Sequence, residues 1–197
     1  MAIGNAYARA NTVYPRDPGA RIYDGNSEWV MGFADKDSSF LKDGARRIDA
    51  RLWMHYNAVC VTPAMALTKP GAGSDYGIAG MDSKHQPLDG AKTYKLLLPP
   101  NVPAKDNWSV TIYDPQTRSM LQTDQPSAGV NSLSGEVKAN ADSSFDIYFA
   151  PEAPKGKESN WIQTIPGKSW FIILRMYGPL EPWLNKTWRP SELELVK

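Results

Sequence analysis

The sequence feature that most constrains the fold is the segment from Trp170 to Tyr177 (WFIILRMY), which is apolar on both faces except at Arg175. A run of this kind is typical of a central strand that is covered on both sides of its sheet. An unpaired guanidinium in a dry interior is costly, so the segment predicts an anionic partner for Arg175. That partner is either a carboxylate of this chain or a ligand.

Short alternating segments predict several further strands after residue 68. Apolar residues alternate in segments 94–98, 108–112 and 145–149, and again at Leu193 and Leu195. Alternation with a period of two places one set of side chains on one face of a strand. Proline- and glycine-rich turns separate the segments. The pattern predicts a mainly β fold, an antiparallel β-sandwich of jelly-roll type.

The first third of the chain is helical in character. Residues 2–10 are rich in alanine, but no capping residue precedes them, so the chain resembles the later part of something longer. A second helix is predicted over 45–61, ending before Pro63, because apolar residues recur at helical spacing. These residues are Ile48, Leu52, Tyr56 and Val59, and Trp53 and Cys60 widen the apolar face. The sequence therefore predicts an N-terminal helical segment over 1–67 and a β-sandwich domain over 68–197.

Composition excludes several classes of partner. The 22 basic and 21 acidic residues give a net charge of +1, so there is no electrostatic signature for nucleic acid or for an anionic membrane. The chain has no apolar run long enough to span a membrane, and its first ten residues lack the features of a signal peptide. We therefore expect a soluble protein that is not exported and, as given, cytoplasmic.

Motifs for metals, cofactors and nucleophiles are absent from the sequence. His55 and His85 lie thirty positions apart and form no ligand pair, so no metal site is predicted. Glycine-rich nucleotide motifs and the common serine hydrolase motif do not occur, and we expect no cofactor. Cys60 lies in a mostly apolar stretch, which predicts a small buried hydrophobe rather than a nucleophile.

Several motifs in a fixed order carry a family resemblance. They are IYD at 112–114, TRSM at 117–120, NADS at 140–143, DIYF at 146–149, PxGxExNW at 154–161 and LRMYGP at 174–179. With these motifs, residues 40–197 resemble domain-of-unknown-function family 1214. The resemblance implies a bacterial, jelly-roll-like β-sandwich with no established reaction.

The same resemblance implies a companion domain. Members of the family usually carry it behind domain-of-unknown-function family 1254, in a chain about twice this length. This sequence lacks that companion, so a surface normally covered is expected to be exposed. An exposed surface of this kind favours a homo-oligomer or pairing with a companion domain.

Two clusters of polar residues are candidate sites. Asp114 and Arg118 flank a tight turn, where they form either a local turn structure, an ion pair or an Asx turn, or the rim of a polar pocket. Glu158, Asn160 and Trp161 come from one loop. An indole face beside an amide and a carboxylate suits a sugar-like ligand, but Trp161 is equally suited to plug the core while Asn160 caps the loop.

Arg175 and Tyr177 are the third candidate, because two residues apart on a strand lie on the same side of the sheet. If Glu158 or Asp114 reaches that side, it would act as acid or base, and such a pair supports hydrolysis. A structural charge network explains the same residues.

Two functions are therefore predicted. The first is a polar small-molecule site, hydrolytic in one form, with Glu158 and Asp114 as catalytic residues. Its ligand-binding residues are Arg118, Asn160, Trp161, Arg175 and Tyr177. The second is a non-catalytic module that assembles with itself or with a companion.

Overall fold

Two four-stranded sheets form most of the fold in this computed structural model, which describes residues 2–58 and 60–196. Strands are numbered along the chain. The first sheet has the order β10 (Glu194–Leu195), β4 (Tyr94–Leu98), β7 (Phe145–Ala150) and β8 (Trp161–Gln163). Its neighbours are antiparallel except for β7 and β8, which are parallel.

The second sheet is antiparallel and has the order β3 (Ser74–Ala79), β9 (Phe171–Pro179), β5 (Ala104–Tyr113) and β6 (Gly129–Asn131). Strand β9 pairs with β3 on one side and β5 on the other, so it is central in its sheet. Alternate residues Ile172, Leu174 and Met176 are fully buried. They join side chains of both sheets in one hydrophobic core.

Four α-helices, three short 3-10 helices and a small hairpin complete the described elements. Helix α1 spans Ala2–Val13, α2 spans Ile48–Asn57, α3 spans Pro63–Ala66 and α4 spans Glu181–Leu184. Strands β1 (Leu41–Lys42) and β2 (Ala45–Arg46) form the hairpin that precedes α2. Helices α1 and α2 pack together, and Tyr7 donates a hydrogen bond to Asp49 over 2.5 Å.

The N-terminal segment has a small core of its own and covers the outer face of the second sheet. Phe33, Trp53 and Met54 are buried members of this core, and Ile78 of β3 packs against it. Backbone hydrogen bonds of 2.8 and 2.9 Å join Val30 to Ile78 in both directions. The segment therefore adds a short extra pairing to the β3 edge and places α2 above the sheet.

The mainly β architecture with an N-terminal helix agrees with the sequence prediction. The alternating segments became β4, β5, β7 and β10, and the segment around Arg175 became the central strand β9. Within the described residues, no helix is both long and apolar enough to cross a membrane.

The predicted second helix was wrong in its bounds, and one residue of its predicted apolar face, Ile48, is exposed. Residues 45 and 46 belong to a hairpin, Ala58 is extended, and Pro63 begins α3 instead of ending α2. Trp53 and Met54 face the core, whereas Ile48 is 60% exposed. Val59 lies outside the described residues. Because the chain after Asn57 leaves the helix, Cys60 is exposed rather than buried.

A matched pair of leucine substitutions tests the shared core. Leu174→Ala removes a fully buried side chain and should lower the free energy of unfolding by about 2 to 5 kcal/mol. Leu133→Ala, at a position that is 73% exposed, should change it by less than about 0.5 kcal/mol. Urea unfolding measures both, and equal effects of the two changes would contradict the assigned core.

Candidate functional site

A cavity of about 560 Å³ lies between the outer face of the second sheet and the N-terminal segment. Its floor is formed by outward-facing residues of β3, β9 and β5. Its roof comes from α2, α3 and the loop around residues 31–36. This size is within the range of pockets that bury small organic molecules.

Strand register fixes the layout of the floor. Ile78 of β3 lies opposite Ile173 of β9, and the next outward pair along these strands is Tyr76 opposite Arg175. On the other side of β9, Tyr113 of β5 lies opposite Phe171. Their rings stack with centroids 5.4 Å apart. An isoleucine pair, an aromatic pair and one guanidinium therefore lie on the same face.

The guanidinium of Arg175 is held by neutral groups. Its Nη2 donates to the Tyr113 hydroxyl over 2.5 Å, and its Nη1 donates to Thr111 Oγ1 over 3.3 Å. Its Cζ lies 5.5 Å from the ring centroid of Tyr113 and 5.9 Å from that of Tyr76. Aromatic faces attract cations at these distances. The side chain is thereby oriented over the floor of the cavity.

No carboxylate of the described residues forms an ion pair with Arg175. Of the two kinds of partner that the sequence allowed, a carboxylate of this chain is therefore not found at Arg175 within the described residues. The reason is that Arg175 lies on the outer face of the sheet, half-buried beside a cavity, rather than in the dry core.

Arg118 is a second cation of the cavity. It stacks on Tyr56 of α2, with its Cζ 3.9 Å from the ring centroid. Its backbone is left-handed, with φ of 59°, and its N–H donates to the Asp114 carbonyl over 2.7 Å. Its Nη1 is buried and has no hydrogen-bond partner within residues 2–58 and 60–196. Arg118 thus joins the turn after β5 to the roof.

The charged side chains of the cavity wall are mostly positive. The lining contains four cations, Lys36, Arg118, Arg175 and Lys186, and one acid, Asp75. The Asp75 carboxylate accepts hydrogen bonds from Trp183 Nε1 over 3.0 Å and from the Tyr76 N–H over 2.9 Å. The wall therefore attracts anions, and the attraction is strongest away from bulk water.

The rest of the lining is mainly apolar. Met54 and Met65 are methionines of the roof, where flexible thioethers adapt to an irregular guest. Trp53 is only 2% exposed, and its Nε1 has no hydrogen-bond partner within the described part of the chain. An unmade hydrogen bond of this kind costs about 1 to 3 kcal/mol.

Asp114 does not line this cavity, and it does not pair with the Arg118 side chain. Its carboxylate receives a hydrogen bond from Lys168 Nζ over 3.0 Å and others from the N–H groups of Gln116 and Thr117. Burial would raise the pKa of Asp114, but these hydrogen bonds outweigh it and lower the pKa. The side chain is an ionised turn residue, as one of the two sequence interpretations had it.

Glu158, Asn160 and Trp161 also lie outside the cavity lining. Asn160 is buried and bonds to Lys138 N–H and to the carbonyls of Lys138 and Asp146. Trp161 Nε1 donates to the Ala150 carbonyl over 2.9 Å. Glu158 is exposed, and hydrogen bonds from its own N–H and that of Gly156 lower its pKa. Asn160 and Trp161 therefore tie this loop to β7 and to residue 138, and Glu158 bonds within the loop.

Tyr177 faces the same side of β9 as Arg175, as predicted, but it is not among the cavity-lining residues. The structure therefore brings Arg118 and Arg175 of the predicted site to one cavity and leaves the other five residues outside it. Sequence reasoning missed Thr111 and Tyr113, although both alternate with the apolar core residues Val110 and Ile112 of β5.

These features describe a mainly β protein with a cation-lined cavity on the outer face of one sheet. The family model for protein of unknown function DUF1214 matches residues 73–181, which include β3, β5 and β9. The chain therefore belongs to the DUF1214 family. A search of curated proteins found no match.

Two solved structures are similar to the chain. The VPA0106 protein from Vibrio parahaemolyticus matches with a TM-score of 0.56 and 25% identity, over 78% of this chain and 36% of that one. An uncharacterized protein from Burkholderia cenocepacia matches with a TM-score of 0.38 and 16% identity, over 64% of this chain and 29% of that one. The match spans about a third of the Vibrio chain.

The Asp114 carboxylate gives a prediction for stability as a function of pH. A lowered pKa means that its contribution is present above the unfolded value of about 3.9 and is lost as the pH falls through the folded value. Asp114→Asn should lower the free energy of unfolding by about 1 kcal/mol at pH 7. The difference from the parent protein should shrink as the pH falls below about 4.

Urea unfolding between pH 2.5 and 7 measures this difference. Asp24→Asn is the control, because Asp24 is exposed. A loss that stays the same at every pH would show that the Asp114 charge has no stabilising role.

Proposed function

We propose that this DUF1214 protein binds a small organic anion in the cavity between its N-terminal segment and its second sheet. The observation that carries the proposal is Arg175, a half-buried guanidinium on the cavity floor without a carboxylate partner in the described residues. Arginine forms its strongest hydrogen bonds with planar oxyanions. A bound anion would complete its coordination.

The surroundings of Arg175 support a binding site in two further ways. Thr111 and Tyr113 orient the guanidinium before a ligand arrives, which reduces the ordering cost of binding. Arg118, Lys36 and Lys186 add positive potential, and the one acid of the lining, Asp75, already accepts a hydrogen bond from Trp183. The mainly apolar lining lowers the local dielectric constant, which strengthens these charge interactions.

The geometry supports binding better than hydrolysis. Catalysis by two carboxylates needs both groups at the scissile bond, one of them with a raised pKa. Glu158 and Asp114 both have a lowered pKa and lie outside the cavity lining. Trp161, the suggested platform for a sugar, uses its indole N–H within the fold. We therefore propose a binding role for the cavity and assign no reaction to it.

A matched pair of arginine substitutions tests the site. Arg175→Met should weaken the binding of organic anions about 10- to 100-fold, because it removes charge-assisted hydrogen bonds. Arg16→Met is the control, since Arg16 also stacks on a tyrosine but does not line the cavity. Titration calorimetry with a panel of aliphatic and aromatic carboxylates and alkyl phosphates measures both variants. Equal binding by the parent protein and Arg175→Met would reject the site.

The second candidate function is assembly. Exposed apolar side chains of the N-terminal segment support it, with Ile3 at 86% and Ile48 at 60% exposure. The similar Vibrio chain is longer, which is consistent with a companion domain of the type usually found before this family. In this proposal residues 68–197 form a jelly-roll-type sandwich, and residues 1–67 form a helical segment that meets a second copy or a companion.

Light scattering coupled to size-exclusion chromatography tests assembly. The protein should form dimers or larger species as its concentration rises, and Ile48→Lys should favour the monomer because it replaces an exposed apolar side chain with a charge. Lys42→Ala, on the exposed hairpin before α2, is the control and should leave the distribution unchanged. A monomer at every concentration would exclude self-association.

A further inference from the structure

We infer that the ligand of this cavity is an amphipathic monocarboxylate, an acid with one carboxylate and an extended apolar body. The carboxylate would meet Arg175, and the apolar body would lie along Ile78 and Ile173 beneath the methionines of the roof. The inference rests on the proposed function and names the chemical class of its ligand.

The polar end of the ligand is defined by the donors on the floor. A guanidinium has five N–H donors in one plane. Arg175 gives one to Thr111 and one to Tyr113, and the others remain for the two oxygens of a carboxylate. It is the one cation on the β9 part of the floor, since Arg118 is in the turn after β5 and Lys36 is in the roof loop.

A phosphate is less well matched to this floor. Phosphate sites usually combine several backbone N–H groups, often from a helix N-terminus or a glycine-rich loop. Around Arg175 the backbone belongs to a central strand that pairs with β3 and β5, so its N–H groups are committed to the sheet. Two carboxylate oxygens need no donors beyond the side chains already there.

The apolar body of the ligand is defined by the groups beside Arg175. Ile78 and Ile173 are cross-strand partners and form an apolar part of the floor next to the guanidinium. Met31, Met54 and Met65 lie in the roof. Methionine side chains adjust to a flexible chain without a fixed shape.

The exposure of the roof indicates where a long chain enters. Met65 is 43% exposed and Leu67 is 65% exposed, yet both line the cavity. Apolar side chains at and just after α3 are therefore in contact with both the solvent and the cavity. A ligand whose alkyl chain is longer than the floor would extend along Met65 and Leu67 and cover them. A compact polyol would leave these two apolar side chains exposed to water.

Titration calorimetry of the full 197-residue chain with decanoate, below its micelle concentration, tests the ligand class. Decanoate should bind at least tenfold more tightly than decanol and than decyl phosphate. In the series hexanoate, octanoate and decanoate, affinity should rise about threefold to fourfold for each added methylene group. Ile173→Thr, which keeps a β-branched side chain, should flatten this dependence on chain length.

The outcomes separate the inference from the proposed function. Acetate binding as tightly as decanoate, or decyl phosphate binding more tightly, would overturn the ligand class while leaving an anion site at Arg175. Decanoate binding unchanged in Arg175→Met, or no binding of any anion tested, would overturn both. Two results together support both: decanoate binding is lost in Arg175→Met, and the affinity of the parent protein rises from hexanoate to decanoate.

Discussion

The proposed binding of an anion depends on one guanidinium, that of Arg175, which lies on the outer face of the central strand β9. Arg175 cannot be solvated as freely as a surface cation, because the N-terminal segment lies above it. The fold surrounds it with a hydroxyl, a phenol and two aromatic faces, all of them neutral. Neutral groups orient the charge without cancelling it, so the positive potential is directed into the cavity. The apolar walls then preserve this potential.

The fold was predictable where periodicity is local. The central strand and the strands β4, β5 and β7 follow from alternation, since each strand buries one face in the shared core. Helix α2 was less predictable, because its apolar residues occur around most of its surface, and tertiary packing buried Trp53 and Met54 but left Ile48 exposed. The parallel pairing of β7 with β8 depends on how distant segments meet, which spacing along the chain does not encode.

The candidate site was predictable only in part for the same reason. A sequence identifies which residues are unusual and which face they share, but it contains no distances between elements. Arg175 was therefore recognised, and the separation of Glu158 from it was not. The polar groups of Asn160 and Trp161 bond to Lys138 and to backbone carbonyls of β7, so they are used within the fold, an outcome that the sequence equally allowed. Tyr113 was recognisable as the outward residue of β5, yet its contact with Arg175 requires the register of two strands.

The most direct test of the account is the free energy of unfolding of Arg175→Met, measured by urea denaturation in the absence of any added anion. If the role of the guanidinium is to bind an anion, Arg175→Met removes a charge that has no acidic partner. The free energy of unfolding should then stay within about 1 kcal/mol of that of the parent protein. If Arg175 is instead a structural group held by Thr111 and Tyr113, the variant should lose about 3 kcal/mol or more, since each hydrogen bond of a charged group contributes about 1.5 to 3 kcal/mol. That larger loss would contradict the account.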